Sequence, residues 1–272
     1  MITNSTGLEQ TSMTENMITE VTIEALQTNQ EGITQYPILE FDENALNLLC
    51  TGIQETLKHS TLKPAGSAAY RAVKRILDVV LSALGILLLL IPGLIVAAII
   101  YIEDKGKPIF SQVRLTENGT PFRMYKFRSM VTNAEELKKK LAEETGQEDR
   151  FIFKMKDDPR ITKVGRFLRK TSLDEFPQLF NVLKGDMSLV GPRPERPQYV
   201  EKFREEIPRY MIKHQVRPGL TGWAQVNGYR GDTSIRKRIE CDLYYIENWS
   251  VGFDIKIMFL TIFKGFINKN AY

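Results

Sequence analysis

The sequence predicts an α+β protein, mostly helical with one small β-hairpin, held at a membrane by a single long apolar segment. Three observations predict this. Residues 79–102 carry no charged side chain over 24 positions, and a bilayer crossing needs about 20. Residues 108–127 hold two runs of β-branched and aromatic residues around Asn118-Gly119, the pattern of a hairpin. Further on, Leu173, Phe176, Leu179, Phe180 and Leu183 repeat with the helical apolar period. A chain of 272 residues, 43% hydrophobic and 26% charged, can bury one good-sized core.

The first element is an arm. Residues 1–57 contain nine Asp or Glu and no Lys or Arg, a net −9 that leaves +13 on the remainder. Its Thr, Asn, Gln and Glu, with apolar residues scattered singly, cannot bury enough surface to offset ordering entropy. Residues 1–62 therefore read as an acidic disordered arm, with a short helix from Glu43 to Lys58 as its one ordered option. A regulatory or partner-binding tail is the functional reading, and solvated disorder the plain one.

The apolar run follows. Its distance from residue 1 and the lack of a small-residue cleavage site speak against a signal peptide, and a buried soluble helix is rarely so uniformly apolar. Pro92-Gly93 near its middle removes a backbone hydrogen bond and favours a kink or break. Lys63, Arg71, Lys74 and Arg75 precede the run, and Lys105 and Lys107 follow it. Basic flanks on both sides give the positive-inside rule no direction to choose. A plain crossing and a broken re-entrant helix stay equally open on these grounds.

Pro108–Leu115 and Phe122–Phe127 are the expected strands. They lead into Lys126-Phe127-Arg128-Ser129-Met130, whose cations and hydroxyl suit an anion contact, although such residues are also ordinary solvated surface. Ala134 to Glu148 is a charge-laced surface helix. Asp157 to Thr162 reads as a turn, and Thr162 to Lys170 as a basic helix with Arg166 and Arg169 on adjoining faces. Two later stretches, Tyr199 to His214 and Val251 to Asn270, mix apolar with basic residues. Both suit an amphipathic helix lying on anionic lipid, with core packing as the alternative.

The chemistry concentrates between Arg169 and Pro194. There Asp174 and Glu175 stand side by side after Ser172, at an expected helix start, among Arg160, Arg166, Arg169, Lys170 and Arg193. Adjacent carboxylates repel unless a cation sits between them or one is reserved for chemistry. A helix N-terminus favours carboxylate and phosphate alike, so the pair alone would equally serve a helix dipole. Cys50, Cys241, His59 and His214 are the only residues of their kinds, which leaves no zinc spacing and no disulfide framework.

From Tyr70 onward the chain resembles the bacterial sugar transferases that are monotopic phosphoglycosyl transferases. Five ordered motifs carry the resemblance. They are Lys74-Arg75-Ile76-Leu77-Asp78, Tyr125-Lys126-Phe127-Arg128-Ser129-Met130, the block Asp158 to Pro194, Arg217 to Gly228 and Asp242-Leu243-Tyr244-Tyr245. The resemblance implies a Pro-broken re-entrant membrane helix over residues 70–104, with both ends cytoplasmic, and a cytoplasmic catalytic domain over residues 105–272 at the bacterial inner membrane. Family members commonly have Ser before the proline. This chain has Ile91, so a break here would lean on Pro92 and Gly93.

By the same resemblance, Asp174 would attack the β-phosphate of a UDP-sugar and release UMP, and undecaprenyl phosphate would then accept the phosphosugar. Glycan assembly for exopolysaccharide, capsule, O-antigen or glycoprotein starts with such a step. Mg²⁺ would be the cofactor, held by Asp174 and Glu175, with Glu175 as metal ligand or base. Lys126, Arg169, Arg193 and Arg230 would hold phosphate oxygens, and Arg217, Gln225 and Asp242 would line the nucleotide or sugar pocket. Trp223 would stack on a base or sugar, or else pack on the core. The expected partners are a UDP-sugar, undecaprenyl phosphate and membrane lipid, without nucleic acid, and a homo-oligomer stays open. The rival reading is a membrane-anchored scaffold or regulatory protein without catalysis. A nucleic-acid binder, suggested by the +13 balance, is weakened because the cations coincide with carboxylates.

Overall fold

The computed structural model describes residues 43–60, 64–144, 158–230 and 233–265. Helix α1 (Glu43–Lys58) opens them. Leu49, Cys50 and Ile53 on one of its faces are buried against Leu115, Phe203, Tyr210 and Met211. Cys50 Sγ donates to Gly119 O at 3.0 Å, and Ile53 lies so close to Gly119, at φ 72°, that a Cβ there would clash. Helix α1 is the short ordered option that the sequence offered within residues 1–62, its one apolar stripe having found a partner. Residues 1–42 lie outside the described ones.

Helix α2 (Ala68–Asp104) carries the apolar run and is capped by Ser67, whose side chain accepts from Tyr70 N. Pro92 lies inside it, and no break divides it there. A proline deletes one donor, and the turns on either side carry the helix through. Only 6% of its most apolar 18-residue window is buried, which sets it apart from the core helix of a soluble protein. Leu84, Leu87, Leu88, Ile91, Leu94 and Ile95 are all exposed.

Both ends of α2 are fixed to the same body. At the start, Lys74 Nζ donates to Val190 O (2.9 Å) and to Asp254 Oδ2 (2.7 Å). Arg75 donates to Val182 O and Leu183 O, and Asp78 accepts from Ser188 Oγ and Leu189 N. At the far end, Glu103 Oε1 accepts from Lys163 N and Val164 N. Between them, a Cβ on Gly85 would meet Leu179 and one on Gly93 would meet Phe176, each at 2.9 Å.

Strands β1 (Ile109–Leu115) and β2 (Pro121–Phe127) pair antiparallel, from Ile109↔Phe127 to Leu115↔Pro121. Asn118 (φ 58°) and Gly119 sit in their turn as expected. Helix α3 (Ala134–Glu144) is the charged surface helix, and residues 145–148 of its expected span lie outside the described ones. Helix α4 (Lys163–Thr171) starts at Thr162, whose side chain accepts from Gly165 N.

Ser172 is not the helix start that the sequence suggested. It ends α4 in the left-handed region (φ 58°), and a 3-10 turn (Leu173–Glu175) separates it from α5 (Gln178–Lys184). The acid pair therefore rides on this turn and precedes α5. Strand β3 (Ser188–Val190) pairs parallel with β4 (Gly219–Thr221), and α6 (Pro197–Glu206) and a 3-10 stretch (Tyr210–Gln215) lie between them.

Val200, Phe203, Tyr210, Met211 and Ile212 are buried, so the interfacial expectation for Tyr199 to His214 gives way to core packing. Helices α7 (Trp223–Val226), α8 (Ile235–Glu247) and α9 (Val251–Gly265) complete the order. Helix α9 buries Ile257 beside Val190, Ile246 and Trp249. It exposes Ile255, Phe259, Ile262 and Phe263, as a helix on an apolar surface would.

Candidate active site

The acid pair gathers cations from four parts of the chain. Lys126 of β2 donates to Glu175 Oε1 at 2.9 Å and stands 3.7 Å from Asp174 Oδ2. Arg193, just past β3, donates to Glu175 Oε1 at 3.0 Å, and Arg230, following α7, lies 3.4 Å from the same oxygen. Arg230 also donates to Ser172 Oγ at 3.1 Å. Arg169, in the last turn of α4, donates to Ser129 Oγ at 2.9 Å. Three predicted phosphate-binding residues, Lys126, Arg193 and Arg230, thus contact the predicted acid pair, and Arg169 acts on Asp174 through its charge. Ser129 supplied a noted hydroxyl, whereas Ser172 went unrecognised; its only signal is its place two residues before Asp174.

Local chain geometry explains the convergence. Gly191 packs against the backbone of Arg217 and Gly219 so closely that no Cβ fits, and Gly219 N donates to Pro192 O. This fixes the loop that presents Arg193. On the other side, Asp158 holds Arg160 through two oxygens, and Val131 N donates to Arg160 O. The block before α4 is so tied to the exit of the hairpin that presents Lys126.

The two acids differ sharply. Burial would raise both, but Lys126, Arg193 and Arg230 hold the Glu175 carboxyl well below the usual carboxylate range. For Asp174 burial wins: its carboxyl is raised, aided by the Glu175 charge and opposed by Lys126, Arg230 and Arg169. Asp174 Oδ1 is buried with no hydrogen-bond partner. Glu175 is therefore an anchored anion that organises cations, and Asp174 a more basic carboxylate with one oxygen uncommitted.

The contacts of the other three predicted residues lead elsewhere. Arg217 reaches Glu117 at the hairpin turn, 3.6 Å away. Gln225 donates to Leu220 O at 3.3 Å, with its Oε1 buried and unpartnered. Asp242 is 2% exposed in a second ionic cluster, 3.4 Å from Lys213, which lies 3.7 Å from Glu195. Burial raises the Asp242 carboxyl to about 6, against the pull of Lys213. Arg238 lies 3.6 Å from Glu195. This cluster, invisible in the sequence because its members are far apart, backs the loop whose Arg193 faces Glu175. Trp223 packs on Tyr244 and Phe253.

Among the described residues no group of three or more His, Cys, Asp or Glu could hold a metal ion. A hard cation shared with a phosphate needs only one or two carboxylates. Asp174 Oδ1 fits that requirement, whereas Glu175 Oε1 is already claimed by three cations. Leu173, Phe180 and Phe167 near the acid pair are exposed, and so is most of α2. An extended apolar surface therefore runs up to the site.

An uncommitted carboxylate oxygen and an anchored second acid thus stand together among Lys and Arg side chains, a charge pattern that suits phosphate anions. The chain belongs to the bacterial sugar transferase family, whose model matches residues 69–268. It is similar to the UDP-glucose:undecaprenyl-phosphate glucose-1-phosphate transferase of Escherichia coli strain K12, at 49% identity over 76% of this chain and 43% of that protein. A protein of that same name from Caulobacter vibrioides is 42% identical over 78% of each chain. The UDP-N-acetylgalactosamine-undecaprenyl-phosphate N-acetylgalactosaminephosphotransferase of Aeromonas hydrophila is 43% identical over 72% of this chain and 44% of that protein. The chain spans less than half the length of the first and third of these relatives.

Proposed function

We propose that this protein transfers a sugar 1-phosphate from a UDP-sugar to undecaprenyl phosphate, with release of UMP, through a covalent intermediate on Asp174. The observation that carries this is the buried, unpartnered Asp174 Oδ1 beside cations committed to Glu175. In the first displacement a carboxylate oxygen of Asp174 forms a bond to the β-phosphorus. The bond from that phosphorus to the bridging oxygen breaks, and the oxygen leaves with its electron pair on UMP. In the second, an oxygen of undecaprenyl phosphate attacks the same phosphorus, and the Asp174 oxygen leaves as carboxylate.

The residues have separable tasks. Glu175 stays ionised and holds Lys126, Arg193 and Arg230 in place, where their remaining donors meet phosphoryl oxygens. The raised carboxyl of Asp174 makes its ionised oxygen a stronger nucleophile than an ordinary surface aspartate. Mg²⁺, with Asp174 as its protein ligand beside diphosphate oxygens, would neutralise charge on the leaving phosphate.

The apolar surface of α2 and α9, with both ends of α2 fixed to one body, supports a monotopic placement on the cytoplasmic face of the bacterial inner membrane. That setting brings a lipid phosphate to the height of the site. Purified protein in detergent, given Mg²⁺, a UDP-sugar and undecaprenyl phosphate, is expected to release UMP. Asp174→Asn should lower that release by about 10³-fold or more. Release at the parental rate by the variant would reject the nucleophile, and a panel of UDP-sugars identifies the donor.

A further inference from the structure

Gln178 opens α5, is 2% exposed and leaves its Nε2 buried with no hydrogen-bond partner. The packing of α5 on β2 fixes what it faces. Phe176 stacks on Phe127 with centroids 6.1 Å apart. Asn181 accepts from Tyr125 N at 3.0 Å and donates to Arg123 O at 2.8 Å. Val182 shares a buried cluster with Phe122 and Met124. The two elements therefore run antiparallel, and Gln178, between Phe176 and Asn181, comes level with Lys126. Lys126 is the cation that joins the two acids.

We propose that Gln178 is a further substrate-binding residue, its carboxamide donating to an oxygen of the phosphoryl group in transfer. This rests on the transfer reading above. A buried amide donor left unpaired is costly, by about 1–3 kcal/mol, and Leu or Met would fill the same space at no such cost. A second unpartnered atom, Asp174 Oδ1, belongs to a residue four positions earlier in the chain. A donor and an acceptor both left open mark the place where a ligand with its own oxygens and phosphorus enters. The neutrality of the amide is useful there. A further cation would hold the Asp174 carboxylate more tightly and blunt its attack, whereas an amide can bind the developing charge on the phosphoryl oxygens without doing so.

The test uses the full chain in detergent with the UDP-sugar that the parent turns over. Gln178→Met should lower kcat for UMP release by about 10- to 100-fold with little change in KM for the UDP-sugar. Its Tm should hold or rise, because an unsatisfied donor has been removed. Gln178→Glu, an anion in place of a donor, should lose more than the Met variant. A Met variant with parental kcat, or one whose activity falls together with its Tm, would overturn the assignment. If the parent itself releases no UMP with any UDP-sugar, the transfer reading falls instead.

Discussion

At the residue scale, the division of labour between Asp174 and Glu175 predicts a pH dependence. Asp174 must be ionised to attack, and its carboxyl is raised by burial, so UMP release has an acidic limb set by that group. Lys126 lowers the Asp174 carboxyl. Lys126→Met therefore moves the limb to higher pH, besides lowering the plateau by about 10- to 100-fold through a lost phosphate contact. Rates of UMP release between pH 5 and about 9 check this, and an unmoved limb would separate Lys126 from Asp174. The acid pair, Arg169 and Arg193 were legible in the sequence because charges crowded together demand a reason, whereas Lys126 and Arg230 were brought to the pair only by the family resemblance. The setting of Asp242 was not legible. Its partners Lys213 and Glu195 are found only when chain segments far apart meet, and residue type says nothing of that.

At the scale of elements, the hairpin and the helices with a clear apolar or charge pattern were readable from local signals, since Asn118-Gly119 and the 3.6-residue period act within a few residues, whereas α7 and α8 were not expected. Strands β3 and β4 were not readable. Three residues each, they exist by pairing Ser188 with Gly219 and Val190 with Thr221, and the tight glycine contacts that permit it are non-local. Tyr199 to His214 stayed open between membrane and core because a core-facing and a lipid-facing amphipathic segment share one period. For α2, fixation of Lys74 and Glu103 to the same body argues for both ends on one side. Single cysteines at Arg71 and Lys107, in a chain with Cys50 and Cys241 replaced by Ser, should resist a membrane-impermeant thiol reagent in intact cells. Both should react after permeabilisation, and labelling of either from outside would establish a crossing.

At the scale of the whole molecule, α1 completes the core that supports the 3-10 stretch Tyr210–Gln215, and with it Lys213. A fully buried Leu or Ile contributes about 1.5–3 kcal/mol, so Leu49 and Ile53 alone supply a large part of the margin of a typical domain. Removal of residues 1–60 should lower the Tm by at least about 5 °C, measured in detergent against a chain lacking only residues 1–42. Equal values would show α1 to be dispensable. The anchoring of α2 also has a consequence for synthesis. Lys74 meets Asp254 across 180 positions of sequence, so on the ribosome the apolar helix emerges long before the groups that clasp it exist. Under the membrane placement proposed above, lipid would shelter its Leu and Ile side chains in the interval. The bilayer would then act as a holdfast on which the later chain assembles, and its supply during translation should govern the yield of folded protein.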